Sequence, residues 1–158
     1  MAAVVAVVAV GVGWLVWPGD ERPEPRARVY TDASACLLTP AAGVGDKAAA
    51  PVWAGMQEAS LATRGKVSYL EVNGAQTADN AVTYLGTLSV GGCDLILAAG
   101  AGPVAALDAR ASAYPKLRFV AVGGGKAQAN VTVVREADAA ATTAKVRDLV
   151  HDALASKD

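Results

Sequence analysis

Cys36 and Cys93 are the only cysteines in this 158-residue chain, and His151 is its only histidine. Two thiols can pair as a disulfide. Two thiols and one imidazole fall short of the four ligands of a structural zinc site, so no metal site is expected. His151 sits between Asp148 and Asp152 in a helical run, off its apolar stripe, and reads as a surface residue. Ser34, Ser60, Ser68, Ser89 and Ser112 lack the G-x-S-x-G frame that exposes a nucleophile. Asp32, Asp46 and Asp94 form no phospho-acceptor cluster. Gly100-Ala101-Gly102-Pro103-Val104-Ala105 matches G-x-G-x-x-A, the pattern of a pyrophosphate loop. It lies in the third repeating unit rather than the first. The following strand ends in Val122-Gly123, where a ribose-binding acid belongs, so the glycines read as turn residues. No catalytic residue and no cofactor are assigned, and the chain is not expected to be an enzyme. The remaining candidates are Thr39, Gly43, Asp46, Trp53, Gly100 and Gly102, a set suited to ligand binding. Asp46 either caps a helix or offers a carboxylate to a ligand hydroxyl or amine. Trp53 either fills the core or faces a ligand.

These residues acquire meaning from the elements around them. Short β-rich runs alternate with alanine-rich segments of helical spacing. The predicted strands are Ser34 to Leu38, Lys66 to Val72, Asp94 to Ala98, Arg118 to Val122 and Asn130 to Val134. Such alternation predicts a three-layer α/β fold, a doubly wound parallel five-stranded sheet in the order 2-1-3-4-5. The first helix is expected to begin between Asp46 and Ala48 and to bury Val52, Trp53, Met56, Ala59 and Ser60, with Gly65 ending it. Thr77 caps the second helix, which buries Ala81, Leu85 and Leu88 and stops at Gly91-Gly92. Gly102-Pro103 opens the third, with Val104, Leu107, Ala111 and Tyr114 inward. The last spans about Ala137 to Ala155, with Val146, Leu149, Val150, Ala153 and Leu154 inward. Sheets of this kind bind ligands beyond the carboxyl ends of their strands. Thr39, Gly43, Asp46, Trp53, Gly100 and Gly102 all fall there.

The strand order also places Cys36, early in the first strand, beside Cys93, just before the third. Neighbouring strands lie about 4.8 Å apart, and a disulfide needs α-carbons roughly 4.4–6.8 Å apart. A Cys36–Cys93 bridge is expected, and it fits an exported domain.

Met1 to Trp17 carries no charge and ends in Trp14 and Trp17, aromatics suited to a membrane interface. It has no charged start, no small-x-small cleavage site and no lipobox-type cysteine, and reads as an uncleaved transmembrane or signal-like anchor. Pro18 to Ala33, rich in proline and charge, reads as an extended linker, and residues 34–158 as one lobe. Arg22, Arg26 and Arg28 follow the apolar run and would by themselves retain the domain in the cytoplasm. The cysteine pair sets the opposite expectation: cell membrane, with the domain on the extracytoplasmic side. The net charge of −1, with no basic run, argues against a nucleic-acid partner.

One ordered set of motifs carries a family likeness. It comprises Cys36-Leu37-Leu38-Thr39, Gly43-Val44-Gly45-Asp46-Lys47, Trp53-Ala54-Gly55-Met56-Gln57, Lys66-Val67-Ser68-Tyr69-Leu70, Cys93 to Gly100, Tyr114-Pro115-Lys116-Leu117-Arg118-Phe119 and Asn130-Val131. The set resembles the amino-terminal lobe of type I periplasmic binding proteins. It is most similar to the basic-membrane-protein family of substrate-binding lipoproteins, whose better-known members bind purine nucleosides for ABC importers. The resemblance implies a nucleoside-like solute held by the loops at Thr39 to Asp46 and Gly100 to Gly102, with an ABC transporter component as partner. It also implies closure against a second lobe. The sequence departs from the family pattern at the loop. The family's first aspartate falls on Pro40, its Ser-Phe-Asn on Ala48-Ala49-Ala50, and the aromatic after the third strand's glycine on Ala101. Solute binding is therefore expected to be weakened or lost. The alternative is an interaction module whose crevice face forms a homodimer or docks a partner.

Overall fold

The computed structural model describes residues 29–156, and the expected anchor, Met1 to Trp17, lies outside them. Among the described residues no helix is long and apolar enough to cross a membrane. Five strands, β1 (Ser34–Thr39), β2 (Lys66–Glu71), β3 (Leu95–Ala99), β4 (Arg118–Val122) and β5 (Val131–Val134), form one all-parallel sheet. Its order is β2-β1-β3-β4-β5, as the alternation predicts. The central strands are apolar on both faces because both faces are covered. Ala35, Leu37, Leu97, Val120 and Val122 bury one face with α1 (Ala50–Thr63) and α4 (Ala139–Ala155). Cys36, Leu38, Ile96, Ala98, Phe119 and Ala121 bury the other with α2 (Ala78–Val90) and α3 (Ala101–Arg110).

The chain enters the domain before β1. Thr31 N donates to Arg64 O at 2.9 Å, Lys66 N donates to Ala33 O at 2.8 Å, and Ala33 is buried. The last residues of the predicted linker therefore dock on the α1–β2 turn.

Helix α1 starts later than its sequence spacing predicts. Asp46 Oδ1 accepts from Ala48 N at 2.8 Å, and Asp46 O accepts from Ala49 N and Ala50 N. These bonds hold residues 46–49 as turns after a short 3₁₀ segment, Gly43–Gly45. The helix then begins at Ala50, with Pro51 in the first turn, where its missing N–H costs nothing. At the other end it is Arg64, not Gly65, that takes the left-handed conformation (φ 60°). Gly65 serves packing instead: a Cβ there would meet Leu154 Cδ1 at 2.7 Å.

Helices α2 and α4 carry side-chain caps, Thr77 to Asn80 N and Asp138 to Ala141 N. Helix α3 ends at Arg110 and tightens into a 3₁₀ turn, Ala111–Ala113. Strands β4 and β5 are joined by residues 123–130 without a helix. Side chains fix that connection. Asp108 Oδ1 accepts from Lys126 N at 2.7 Å, and Arg135 donates to Gly125 O. Asn130 Nδ2 donates to the carbonyls of Ala111, Tyr114 and Leu117 at 3.0, 3.0 and 3.2 Å.

The cysteines are bonded, with α-carbons 5.9 Å apart. Cys36 lies opposite Ile96 in the ladder, and Cys93 precedes β3 by two residues. The bridge therefore ties the amino-terminal side of two neighbouring strands, the arrangement expected from the strand order.

Candidate functional site

The carboxyl ends of β1, β3 and β4 open onto a shallow crevice with two hollows. One, about 300 Å³, is lined by Ala48, Gly100, Ala101, Val104, Val122, Gly123 and Gly124. The other, about 320 Å³, shares Ala48, Val122 and Gly123 and adds Lys47, Pro51, Glu136 and the start of α4. This is the position that the topology reserves for a ligand, between elements that diverge to opposite faces of the sheet.

The six candidate residues meet different fates there. Thr39 is fully buried at the end of β1, and its hydroxyl donates to Leu70 O at 3.3 Å. Gly43 adopts φ +61°, and a Cβ there would collide with the Glu71 carboxylate. Asp46 spends Oδ1 on the turn that precedes α1. Trp53 stands in the first turn of α1, but its ring meets Tyr69 of the edge strand β2 in a T-shaped contact at 5.3 Å. Trp53 also packs on the core cluster beneath α1 and lines neither hollow. Gly102 is buried, and a Cβ there would approach Gln76 O at 3.1 Å. It is a packing glycine against the β2–α2 loop. Gly100 alone among the six lines a hollow.

Gly100 also reveals what the sequence leaves hidden. Its φ of +90° belongs to glycine, and a Cβ would come within 2.5 Å of Pro40 Cγ. The Pro40 ring thus lies on Gly100 and caps the gap between the ends of β1 and β3. Pro40 is the position where the resembled family places an aspartate.

Several backbone groups of the β1–α1 loop are also engaged within the chain. Pro40 O accepts from Gly43 N, and Gly43 O from Asp46 N. Ala41 N donates to Gln76 Oε1 at 3.3 Å, while Gln76 Nε2 donates to Val72 O and Gly74 O at 2.7 and 3.0 Å. Gln76 therefore stitches the loops after β1 and β2 together. Sequence reasoning missed it, and read Pro40 only as a lost aspartate, because both act across the rim rather than along the chain. The exposed lining of the hollow that includes Gly100 is small and weakly polar, Ala48, Ala101 and Gly123, while the neighbouring hollow adds the exposed Lys47, Glu136 and Asp138. His151 is exposed on α4, with Nδ1 3.7 Å from Asp152. It sits about 18 Å along the helix from the end that borders the crevice. Among the described residues no group of His, Cys, Asp and Glu could hold a metal ion.

Known structures share this architecture. No family model matches the sequence, and no curated protein matches it. A fragment from Peptoclostridium difficile 630, provisionally named a lipoprotein, superposes with a TM-score of 0.64 at 17% identity, covering 77% of this chain and 98% of that one. ABC transporter solute-binding proteins from Aeropyrum pernix K1 give 0.55 at 21% identity. A transcriptional activator of the comK gene from Bacillus halodurans gives 0.51 at 20%. Each of these last two is matched over 64% of this chain, which spans only 28% and 34% of their lengths. The chain has a binding-protein-like fold. At these identities the likeness is one of fold, and a fold shared by a solute-binding protein and a transcriptional activator does not dictate an activity.

Proposed function

We propose that this chain is a membrane-anchored, extracytoplasmic lobe of the solute-binding-protein kind in which solute capture is weakened or lost. On the motifs quoted above it resembles the basic-membrane-protein family. The observation that carries the reading is the closure of the rim by the chain's own groups. Pro40 covers Gly100, and the Thr39 hydroxyl is buried. Four backbone donors of the loop, Ala41 N, Gly43 N, Asp46 N and Ala48 N, are spent on Gln76, Pro40, Gly43 and Asp46. A pocket selects a small polar solute with a few convergent, unspent polar groups; the hollow that includes Gly100 is lined by small apolar residues, and the charged Lys47 and Glu136 belong to the neighbouring hollow. The disulfide supports the extracytoplasmic setting.

A second reading, favoured by the exposed Ala48, Ala101 and Gly123, is an interaction module that uses the crevice face to dock a protein.

Thermal unfolding of the full chain in mild detergent against a purine and pyrimidine nucleoside panel tests the first reading. A ligand present at 100 times its Kd would stabilise the fold by about 2.7 kcal/mol. No shift is expected with any nucleoside. A saturable rise with one of them would establish a working solute site and overturn the reading.

A further inference from the structure

The crevice carries a charge pattern that a second copy of this chain would satisfy. Lys47 stands on one wall of the larger hollow, in the turn before α1, and Glu136 on the other, in the β5–α4 connection. Both are exposed, and among the described residues neither forms an ion pair within the chain. Between them lies the uncharged floor of Ala48, Val122 and Gly123, shared by both hollows. A patch with a cation at one side, an anion at the other and small residues between is its own complement under a two-fold rotation. The axis passes through the middle, and each Lys47 meets the opposite Glu136. A two-fold interface uses the same patch on both subunits, so residue i contacts j while j contacts i. One unpaired charge of each sign, on opposite walls, is the minimum such an interface needs.

A partner of other composition fits less well. A strongly acidic or basic surface would satisfy one wall and be repelled by the other. The Glu136 side also carries Asp138, whose Oδ1 already accepts from Ala141 N at the start of α4. Asp138 is exposed and keeps its charge, so with Glu136 it makes this wall acidic as a whole. The floor has no long side chain that would hold two copies apart.

We infer that the crevice face is a homodimer interface, with Lys47 of one copy paired to Glu136 of the other across a two-fold axis at Gly123. The inference rests on the second reading above, in which the crevice docks a protein, and it commits that reading to one occupant.

The test is the light-scattering mass of the full chain in mild detergent, detergent contribution subtracted, over a dilution series. Far-UV circular dichroism confirms that each variant is folded. The native chain is expected to be a dimer that dissociates on dilution. Lys47→Glu and Glu136→Lys each place like charges at both symmetry-related contacts and are expected to weaken dimerisation about tenfold or more. The double variant restores opposite charges and is expected to return to within about threefold of the native chain. A dimer held by the apolar segment Met1 to Trp17 would ignore all three variants. A monomeric native chain, insensitivity to the single reversals, or failure of the folded double variant to recover would each overturn the inference. None of these results bears on solute capture, which the nucleoside series decides separately.

Discussion

Pro40 and Gly100 decide more of this rim than any charged residue does. A Cβ at Gly100 would strike Pro40 Cγ at 2.5 Å and would also force φ +90° on a side chain. Gly100→Ala is therefore expected to lower stability by about 2–4 kcal/mol, part backbone strain and part overlap. Pro40→Gly in the same chain removes the overlap and leaves the strain. A double-mutant cycle by urea unfolding should then show a coupling of about 1–2 kcal/mol. Additivity within about 0.5 kcal/mol would mean that the ring does not rest on Gly100. The contact also shows where sequence reading stops at this scale. Thr39, Gly43, Asp46 and Gly100 fall at the strand ends because alternation puts them there. Whether their polar groups face outward depends on neighbours distant in sequence. Leu70 takes the Thr39 hydroxyl, and Gln76 takes the Ala41 amide. Nothing in the spacing of residues 39–46 announces either partner.

Helix α1 meets α4 through a glycine that no apolar stripe flags. The stripe of Val52, Met56, Ala59 and Ser60 is legible as a face, and all four are buried. Gly55 lies on that face as well, and a Cβ on it would sit 2.5 Å from Thr143 O and 2.9 Å from Arg147 N. Both are backbone atoms of α4, so a substitution has no flexible side chain to push aside. Thr143 Oγ1 donates to Pro51 O at 2.9 Å one turn away and holds the two helices at this spacing. Helix propensity favours alanine over glycine by about 1 kcal/mol, but the overlap outweighs it. Gly55→Ala is expected to cost about 2 kcal/mol net. Gly86 supplies the contrast. It lies in α2, where an added Cβ meets only Tyr114 Oη at 3.8 Å. Gly86→Ala should therefore gain up to about 1 kcal/mol by propensity alone. Chemical denaturation of the two variants measures the difference, and equal effects would refute the close α1–α4 approach. Glycine in a helix is ambiguous in sequence because it reads as a weak position whether or not another backbone lies against it.

At the scale of the whole molecule the sheet order was the most legible property, because strand and helix periods alternate cleanly from β1 to β4 and β5 follows after a short connection. The order then places two residues far apart in the chain side by side. Cys36 and Cys93 are separated by 57 positions, and only the adjacency of β1 and β3 brings them together. The bridge joins β1 and β3 at their amino-terminal side, the strand pair at which the connections change face, with α1 and α4 covering one face and α2 and α3 the other. It therefore closes a loop containing α1, β2 and α2, three of the nine described strands and α-helices. In the chain-entropy account a loop of this length restricts the unfolded chain by about 4 kcal/mol. Against a typical total stability of roughly 5–15 kcal/mol, that is a large share. Both cysteines are buried, at 4% and 6% exposure, so a reductant attacks the native bridge slowly. The paired variant Cys36→Ala with Cys93→Ala is the better probe. It is expected to lose about 4 kcal/mol in urea unfolding and about 10–20 °C in midpoint. A loss below about 1 kcal/mol would mean that the unfolded chain is already restricted and the bridge adds little. The same bond reports on location. In cells quenched with a thiol alkylator, an exported domain retains a bridge that blocks both cysteines, whereas a cytoplasmic one is alkylated twice once it is unfolded. Two blocked thiols are expected. Double alkylation would place the domain on the side that Arg22, Arg26 and Arg28 favour, and the cysteines would then be two core residues that oxidise only after lysis.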